Sequence, residues 1–148
     1  MRVYIGADHR GFALKGRIAQ RLRERGYDVA DEGARELNPE DDYPVFAKRV
    51  AKRVAEDPKR TRGILICGSG IGVAVAANKV HGIRAGFAFS EDMARASREH
   101  DDTNVLALSS DYQSDDEAWR IVEAWLETAF SGAERHQRRL KQIEEMEV

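Results

Sequence analysis

The chain has 148 residues, of which 24 are basic and 26 acidic, and a formal net charge of -2. A domain of this length buries about two-thirds of the surface that its unfolded chain exposes, so we expect one domain over residues 1–148. The near balance of charge argues against nucleic acid or a membrane surface as a partner, and the apolar runs are far too short to span a bilayer.

The single cysteine, Cys67, excludes an intramolecular disulfide, and a reducing cytoplasm is the natural compartment for such a chain. The first residues lack the apolar segment of a signal peptide, which also favours a cytoplasmic location. The four histidines have no spacing typical of zinc ligands. We therefore expect no metal.

The first third of the chain predicts two strands and a helix. Residues 3–6 form a short apolar run, typical of a buried strand. Apolar residues then recur every fourth position from 14 to 22, which predicts an amphipathic helix that ends near Gly26. Residues 28–32 predict a weaker strand. The polar stretch 33–42 is long for a connection and is therefore a candidate for building a site.

The middle of the chain continues this alternation. Pro44 opens a second helix. The sequence GILIC at 63–67 is the clearest strand, and its unbroken apolar character suits a parallel sheet covered on both faces. An alanine-rich helix over 71–79 and a fourth strand over 83–89 follow.

The last third predicts a fifth strand and three helices. Ser90 caps a helix that reaches about Glu99, and residues 105–108 predict the fifth strand. A helical stripe of apolar residues follows, and the basic segment 135–141 leads into a final helix. Five strands alternating with helices predict a three-layer, doubly wound, Rossmann-like α/β sandwich with a five-stranded parallel sheet. Such sheets bind ligands beyond the carboxyl ends of their strands.

The loop at 67–72 reads Cys-Gly-Ser-Gly-Ile-Gly and joins a predicted strand to a predicted helix. Glycines at alternate positions allow backbone N–H groups to converge on an anion. The loop lacks the lysine and hydroxyl residue of a P-loop, and its glycine spacing differs from that of the dinucleotide fingerprint. A merely tight turn is the alternative interpretation.

Cys67 stands at the end of this strand and faces the start of the next helix. The positive end of a helix favours the thiolate form, which can act as a base. A small buried apolar residue is the commoner fate of a lone cysteine, so both interpretations remain open on these grounds.

Two histidines and two arginines are further candidates. His9 follows Asp8 at the end of the first strand, and His100 follows the fourth helix. We expect both histidines on the carboxyl side of the sheet, although a cap or a surface position is the ordinary role of a loop histidine. Arg135 and Arg139 share one helix face and could grip a phosphate together; the alternative is a solvated helix start.

Taken together, these segments resemble the type B ribose-5-phosphate isomerase family, which also holds galactose-6-phosphate isomerase subunits. The resemblance covers nearly the whole chain, through GADHRGF at 6–12, DYP at 42–44, GILICGSGIG at 63–72, AANKVHGIRA at 76–85, REHDDTNVL at 98–106 and RHQRR at 135–139. It implies an aldose–ketose isomerase that interconverts ribose 5-phosphate and ribulose 5-phosphate through an enediolate, without a cofactor. It also implies a homodimer with a shared active site, in which the C-terminal helix makes dimer contacts, or a dimer of such dimers.

The resemblance assigns a role to each site residue. Cys67 is the base that moves a proton between C1 and C2, and His100 opens the sugar ring, with Ser69 as the third catalytic residue. The substrate-binding residues that it implies are Asp8, His9, Tyr43, Gly68, Gly70, Ile71, Gly72 and Asp101. Arg135 and Arg139 reach the phosphate from the second subunit.

Two positions depart from the family pattern. The family usually has asparagine at the position of Asp101 and a phosphate-binding arginine at the position of Asp111. A carboxylate ~6 Å from a phosphate costs about 3 kcal/mol per pair of charges at an effective dielectric near 20, which is roughly a hundredfold in affinity. We hypothesise that Arg10, where the family often has a small residue, supplies a replacement cation beside His9.

Alternatives follow from these departures. The substrate could be another sugar or sugar phosphate, of the tetrose, allose or galactose type. The chain could also be a non-catalytic sugar-phosphate-binding subunit, because the galactose-6-phosphate branch works as paired unlike subunits. A nucleotide-binding module would require a phosphate loop after the first strand, where Asp8 stands instead.

Overall fold

The computed structural model describes all residues from 1 to 148. Five strands alternate with six helices. The strands are β1 (Arg2–Ala7), β2 (Asp28–Asp31), β3 (Thr61–Cys67), β4 (Ala85–Phe87) and β5 (Val105–Ser109). The helices are α1 (Phe12–Glu24), α2 (Tyr43–Glu56), α3 (Ile71–Ala77), α4 (Glu91–Asp101), α5 (Asp115–Glu127) and α6 (Glu134–Glu144).

All strand pairs are parallel, and the order across the sheet is β2-β1-β3-β5-β4. The chain winds outwards from β1 in one direction to β2 and in the other to β3. The switch point between β1 and β3 is where a doubly wound sheet opens a crevice for ligands. The predicted fold class is confirmed.

Side chains that alternate along β3 pack on opposite faces of the sheet, as the period of a strand requires. Ile64 and Ile66 lie in the core under α1, α4 and α5. Leu65 and Cys67 lie in the second core under α2 and α3. Burial on both faces explains the unbroken apolar run that predicted this strand.

Several predicted boundaries differ from the structure. Helix α4, predicted to end near Glu99, ends at Asp101, so His100 lies inside the helix instead of after it. The fourth strand is only three residues long, Ala85–Phe87, because it lies at the sheet edge and has β5 as its only neighbour. The side chain of Asn78 bonds the backbone N–H and C=O of Ala85, at the start of β4. The helix predicted over 71–79 ends at Ala77, and the basic segment 135–141 lies inside α6 instead of preceding it. No helix of the chain has both the length and the apolar character needed to cross a membrane.

Candidate active site

The loop after β3 folds around the sulfur of Cys67. Cys67 is the last residue of β3 and only 4% exposed. Its Sγ accepts a hydrogen bond from the backbone N–H of Gly70 at 3.2 Å, and Ser69 Oγ accepts one from the N–H of Ile71 at 3.1 Å. Two of the N–H groups that the sequence assigned to an anion are therefore occupied by side chains of the loop itself.

The loop glycines allow neighbouring side chains to lie directly on the backbone. A Cβ at Gly68 would come within 2.8 Å of the Arg10 guanidinium, and one at Gly72 within 2.7 Å of the Tyr43 ring. Gly70 adopts a φ of +78°, which favours glycine, and a Cβ there would meet the Phe87 ring at 2.7 Å. The glycines thus bring Arg10 and Tyr43 to the two ends of the loop.

The turn after β1 holds Asp8 and His9 at the switch point. The buried carboxylate of Asp8 accepts hydrogen bonds from the backbone N–H groups of Arg10 and Gly11 at 3.0 and 3.2 Å. His9 donates its backbone N–H and its ring Nδ1–H to one oxygen of Asp41, at 2.9 and 2.8 Å. Since a carboxylate only accepts, Nδ1 carries a proton, and Nε2 makes no hydrogen bond within the chain.

Asp41 is a site residue that our sequence analysis missed. It lies in the polar stretch 33–42, whose length was the only signal that it builds a site. Its side chain is 9% exposed, and its second oxygen is buried without a hydrogen-bond partner. Asp41 therefore fixes the orientation of the His9 ring.

Asp111 also lies at this loop. Its carboxylate forms an ion pair with Arg10, and its backbone N–H donates to the carbonyl of Gly68 at 3.0 Å. The carboxylate that departs from the family pattern and the arginine that we proposed as a replacement cation are therefore in direct contact.

His100 lies at the other end of the sheet, so our expectation that it stands on the carboxyl side is wrong. Helix α4 starts beyond the carboxyl end of β4 and runs back, which puts His100, in its last turn, near the amino ends of the strands. Asn104, four residues later, accepts from Gly63 in the first half of β3 and donates to Arg84 just before β4. The length of β5, five residues, separates the amino ends of the strands from their carboxyl ends by roughly 13 Å.

His100 belongs instead to a second cluster, formed by the ends of α4 and α6. Its ring lies 4.8 Å from the ring of the buried His136, centroid to centroid, and Ser131 Oγ contacts Nδ1 of His136 at 2.6 Å. Arg135 and Arg139 are exposed on α6, the helix that also carries His136. The candidate residues therefore fall into two groups within one chain, one around Cys67 and one around His100.

His136 is expected to be neutral at pH 7. Burial, and next the positive charge of Arg135, hold the pKa of His136 below its usual value of 6.5; His100 and Arg139 lower it further, and Asp101 opposes them. An NMR titration should find this lowered pKa, and His100→Ala should raise it towards 6.5. His81→Ala, at an exposed turn, is the control that should leave it unchanged. An unaltered pKa in His100→Ala would contradict the electrostatic coupling of the two rings.

A cavity of about 850 Å³ lies along β4, α4 and the C-terminal residues, and Cys67 does not line it. The loop at Cys67 is bordered by Tyr43 and Arg10, and His9 precedes Arg10 in the turn after β1. No group of three or more histidine, cysteine, aspartate or glutamate residues comes together in a way that could hold a metal ion. The chemistry that this chain itself offers is a thiol, a histidine held by a carboxylate, and an arginine.

A thiol and an oriented histidine at the switch point of a doubly wound sheet define an α/β enzyme that acts on a small polar ligand. Residues 3–143 match the family model described as Ribose/Galactose Isomerase. The chain belongs to this family, as its sequence motifs predicted, and is an aldose–ketose isomerase.

Individual relatives match over nearly the full length. Ribose-5-phosphate isomerase B of Mycobacterium tuberculosis is 42% identical over 147 residues, which are 99% of this chain and 90% of that protein. The structure of ribose-5-phosphate isomerase B from Mycoplasma genitalium with bound ribulose-5-phosphate matches with a TM-score of 0.95 and 42% identity, covering 97% of this chain and 94% of that one. The Clostridium thermocellum structure matches with a TM-score of 0.94 and 46% identity, covering 99% and 97%.

Proposed function

We propose that this chain interconverts ribose 5-phosphate and ribulose 5-phosphate in the cytoplasm, as one isomerase domain that needs neither metal nor nucleotide. The observation that carries the proposal is the match, at a TM-score of 0.95, to a structure that holds ribulose-5-phosphate. Cys67 at the carboxyl end of β3 supports it, because an isomerase of this kind needs a base at the sugar carbon.

The reaction assigns separate tasks to the two groups of residues. Cys67 removes the proton from C2 of the open-chain aldose to give an enediolate, and the proton is returned at C1 while the hydroxyl proton of O2 passes to O1. Ser69 and the loop amides from Gly68 to Gly72 stabilise the negative oxygen, after the sugar displaces the hydrogen bonds that the loop makes to itself. His100 opens the ring by passing a proton to the ring oxygen.

A shared site between two copies accounts for the distance between these groups. Cys67 lies at the carboxyl ends of the strands and His100 near their amino ends, so the two residues of a single chain cannot act on the same sugar. A two-fold dimer repeats the same contact on both subunits and can bring His100, Asp101 and the α6 arginines of one copy to the Cys67 loop of the other. The same pairing can recur in a dimer of dimers.

Exposed apolar side chains beside the loop support this pairing. On α3, Ile71 and Val75 are about half exposed, as are Phe89, just before α4, and Met93, in its first turn. Apolar surface of this kind favours association with another protein surface. We propose that the second copy covers these residues when it completes the site.

Phosphate anchors the substrate and orients the carbon chain for proton transfer. Arg135 and Arg139 are four positions apart on α6 and present two guanidinium groups on one face. Arginine binds phosphate through two parallel hydrogen bonds. Together with Arg10 of the first copy, they hold the phosphate, while His9, Asp8 and Tyr43 meet the sugar.

A coupled isomerase assay across a small panel of sugars tests the proposal. We expect ribose 5-phosphate to be turned over at least about a hundredfold more efficiently than free ribose, since lost phosphate contacts cost at least this much. Allose, allose 6-phosphate and galactose 6-phosphate test the other sugar classes. Faster turnover of any of these would contradict the assignment to ribose 5-phosphate.

Asp101 and Asp111 favour one other candidate, a sugar-phosphate-binding subunit without activity of its own, because both place negative charge where the family usually has a neutral or positive residue. A purified chain that isomerises none of these sugars alone, but gains activity with a partner chain, would support that candidate.

A further inference from the structure

Arg10 and Asp111 meet across the loop that holds Cys67. Arg10 follows β1 and Asp111 follows β5, and these strands lie on either side of β3 in the sheet. The Arg10 guanidinium lies on Gly68, and the N–H of Asp111 is bonded to the carbonyl of the same glycine. Because consecutive Cα atoms are only about 3.8 Å apart, the pair is within reach of a ligand bound at Cys67.

The ion pair between Arg10 and Asp111 is partly exposed to solvent, so Arg10 can leave Asp111 and pair with another anion. The Arg10 side chain is 56% exposed and that of Asp111 33%. Exposed pairs of this kind contribute little to stability, so breaking the pair costs little. A phosphate offers Arg10 three oxygens and a larger negative charge than a carboxylate does.

We propose that Asp111 sets the affinity of the site for the phosphorylated end of the sugar by competing for Arg10. The guanidinium pairs with Asp111 in the empty site and transfers to the phosphate when the substrate binds. The inference rests on the proposed function, since it assumes that a sugar phosphate occupies the loop.

Asp111 lowers phosphate affinity in two ways that act in the same direction. It reduces the fraction of molecules in which Arg10 is free, and apparent affinity falls with that fraction. Its charge also repels the bound phosphate. Two other carboxylates of this chain at the site have partners other than Arg10, since Asp8 accepts from the turn N–H groups and Asp41 accepts from His9. Asp111 is therefore the carboxylate of this chain that competes directly with a phosphate for Arg10, and its removal should increase the affinity for phosphate.

Two measurements on three variants test the inference: the dissociation constant of inorganic phosphate by calorimetry, and the KM for ribose 5-phosphate. We expect Asp111→Asn to lower both by about tenfold, which is less than the unscreened repulsion would give because solvent screens the partly exposed carboxylate. The kcat should change by less than about threefold. Arg10→Ala should raise both by about tenfold or more. Asp28→Asn is the matched control, because it breaks another exposed pair, Arg2–Asp28, at the amino end of the sheet, and should change neither.

Unchanged or weaker phosphate binding in Asp111→Asn would overturn the inference, because a pair with only a structural role predicts that result. An Arg10→Ala variant that binds phosphate as well as the unaltered protein would overturn it too. The calorimetry does not depend on turnover. A chain whose phosphate affinity responds as expected, but which does not isomerise ribose 5-phosphate, would therefore contradict the proposed function and support the inference.

Discussion

Cys67→Ser is expected to lower kcat for ribose 5-phosphate by about a thousandfold, with little change in KM. General base catalysis contributes about 10²- to 10⁴-fold, and a serine hydroxyl is a far poorer base than a thiol at neutral pH. The two side chains have similar size, and Cys67 is buried at the end of a central strand. The substitution should therefore remove the chemistry and leave substrate binding in place.

Hydrogen exchange gives this prediction a second measurement. In D₂O the unaltered protein should exchange the migrating proton of the sugar with solvent deuterium, and Cys67→Ser should not. Cys67→Ala is the matched variant, since it removes the base without adding a hydroxyl. If Cys67→Ser kept near-full activity, the base would have to be another group, such as one of the carboxylates, and the proposed mechanism would be wrong.

Mixing two inactive variants should restore activity. Neither Cys67→Ser nor His100→Ala is expected to be active alone, because each site of either homodimer lacks one catalytic residue. After random exchange of subunits, half of the dimers are mixed, and each mixed dimer has one intact site and one doubly altered site. About a quarter of the activity of the unaltered protein should therefore return, as measured by the same coupled assay.

A second mixture is the matched control. His100 and Arg135 belong to the same group of residues, so a shared site takes both from the same subunit. Mixing His100→Ala with Arg135→Ala should restore nothing, since every site in the mixed dimer still lacks one of the two residues. No recovery in the first mixture, with subunit exchange verified by mass spectrometry, would show that Cys67 and His100 do not act across a dimer.

Local patterns were enough to predict the α/β fold and the loop that carries the thiol. Apolar runs and the helical repeat report which residues are buried, and β3 is buried on both faces as its composition indicated. The glycines at 68, 70 and 72 predicted a loop whose N–H groups converge on an anion or a tight turn, but not that Arg10 and Tyr43 lie against Gly68 and Gly72. Such features depend on residues that are close together along the chain, so they can be predicted from the sequence.

The contacts that shape the site depended on the tertiary structure. Arg10 and Asp111 are 101 positions apart, and His9 and Asp41 are 32 apart. Periodicity describes burial but not which surfaces meet, because that depends on strand order and on the path of each loop. For the same reason, the sequence did not determine at which end of the strands His100 lies. That depends on the direction of α4, which runs back along the sheet towards the amino ends of the strands. The separation of His100 from Cys67 is what makes a second subunit necessary to the proposed chemistry.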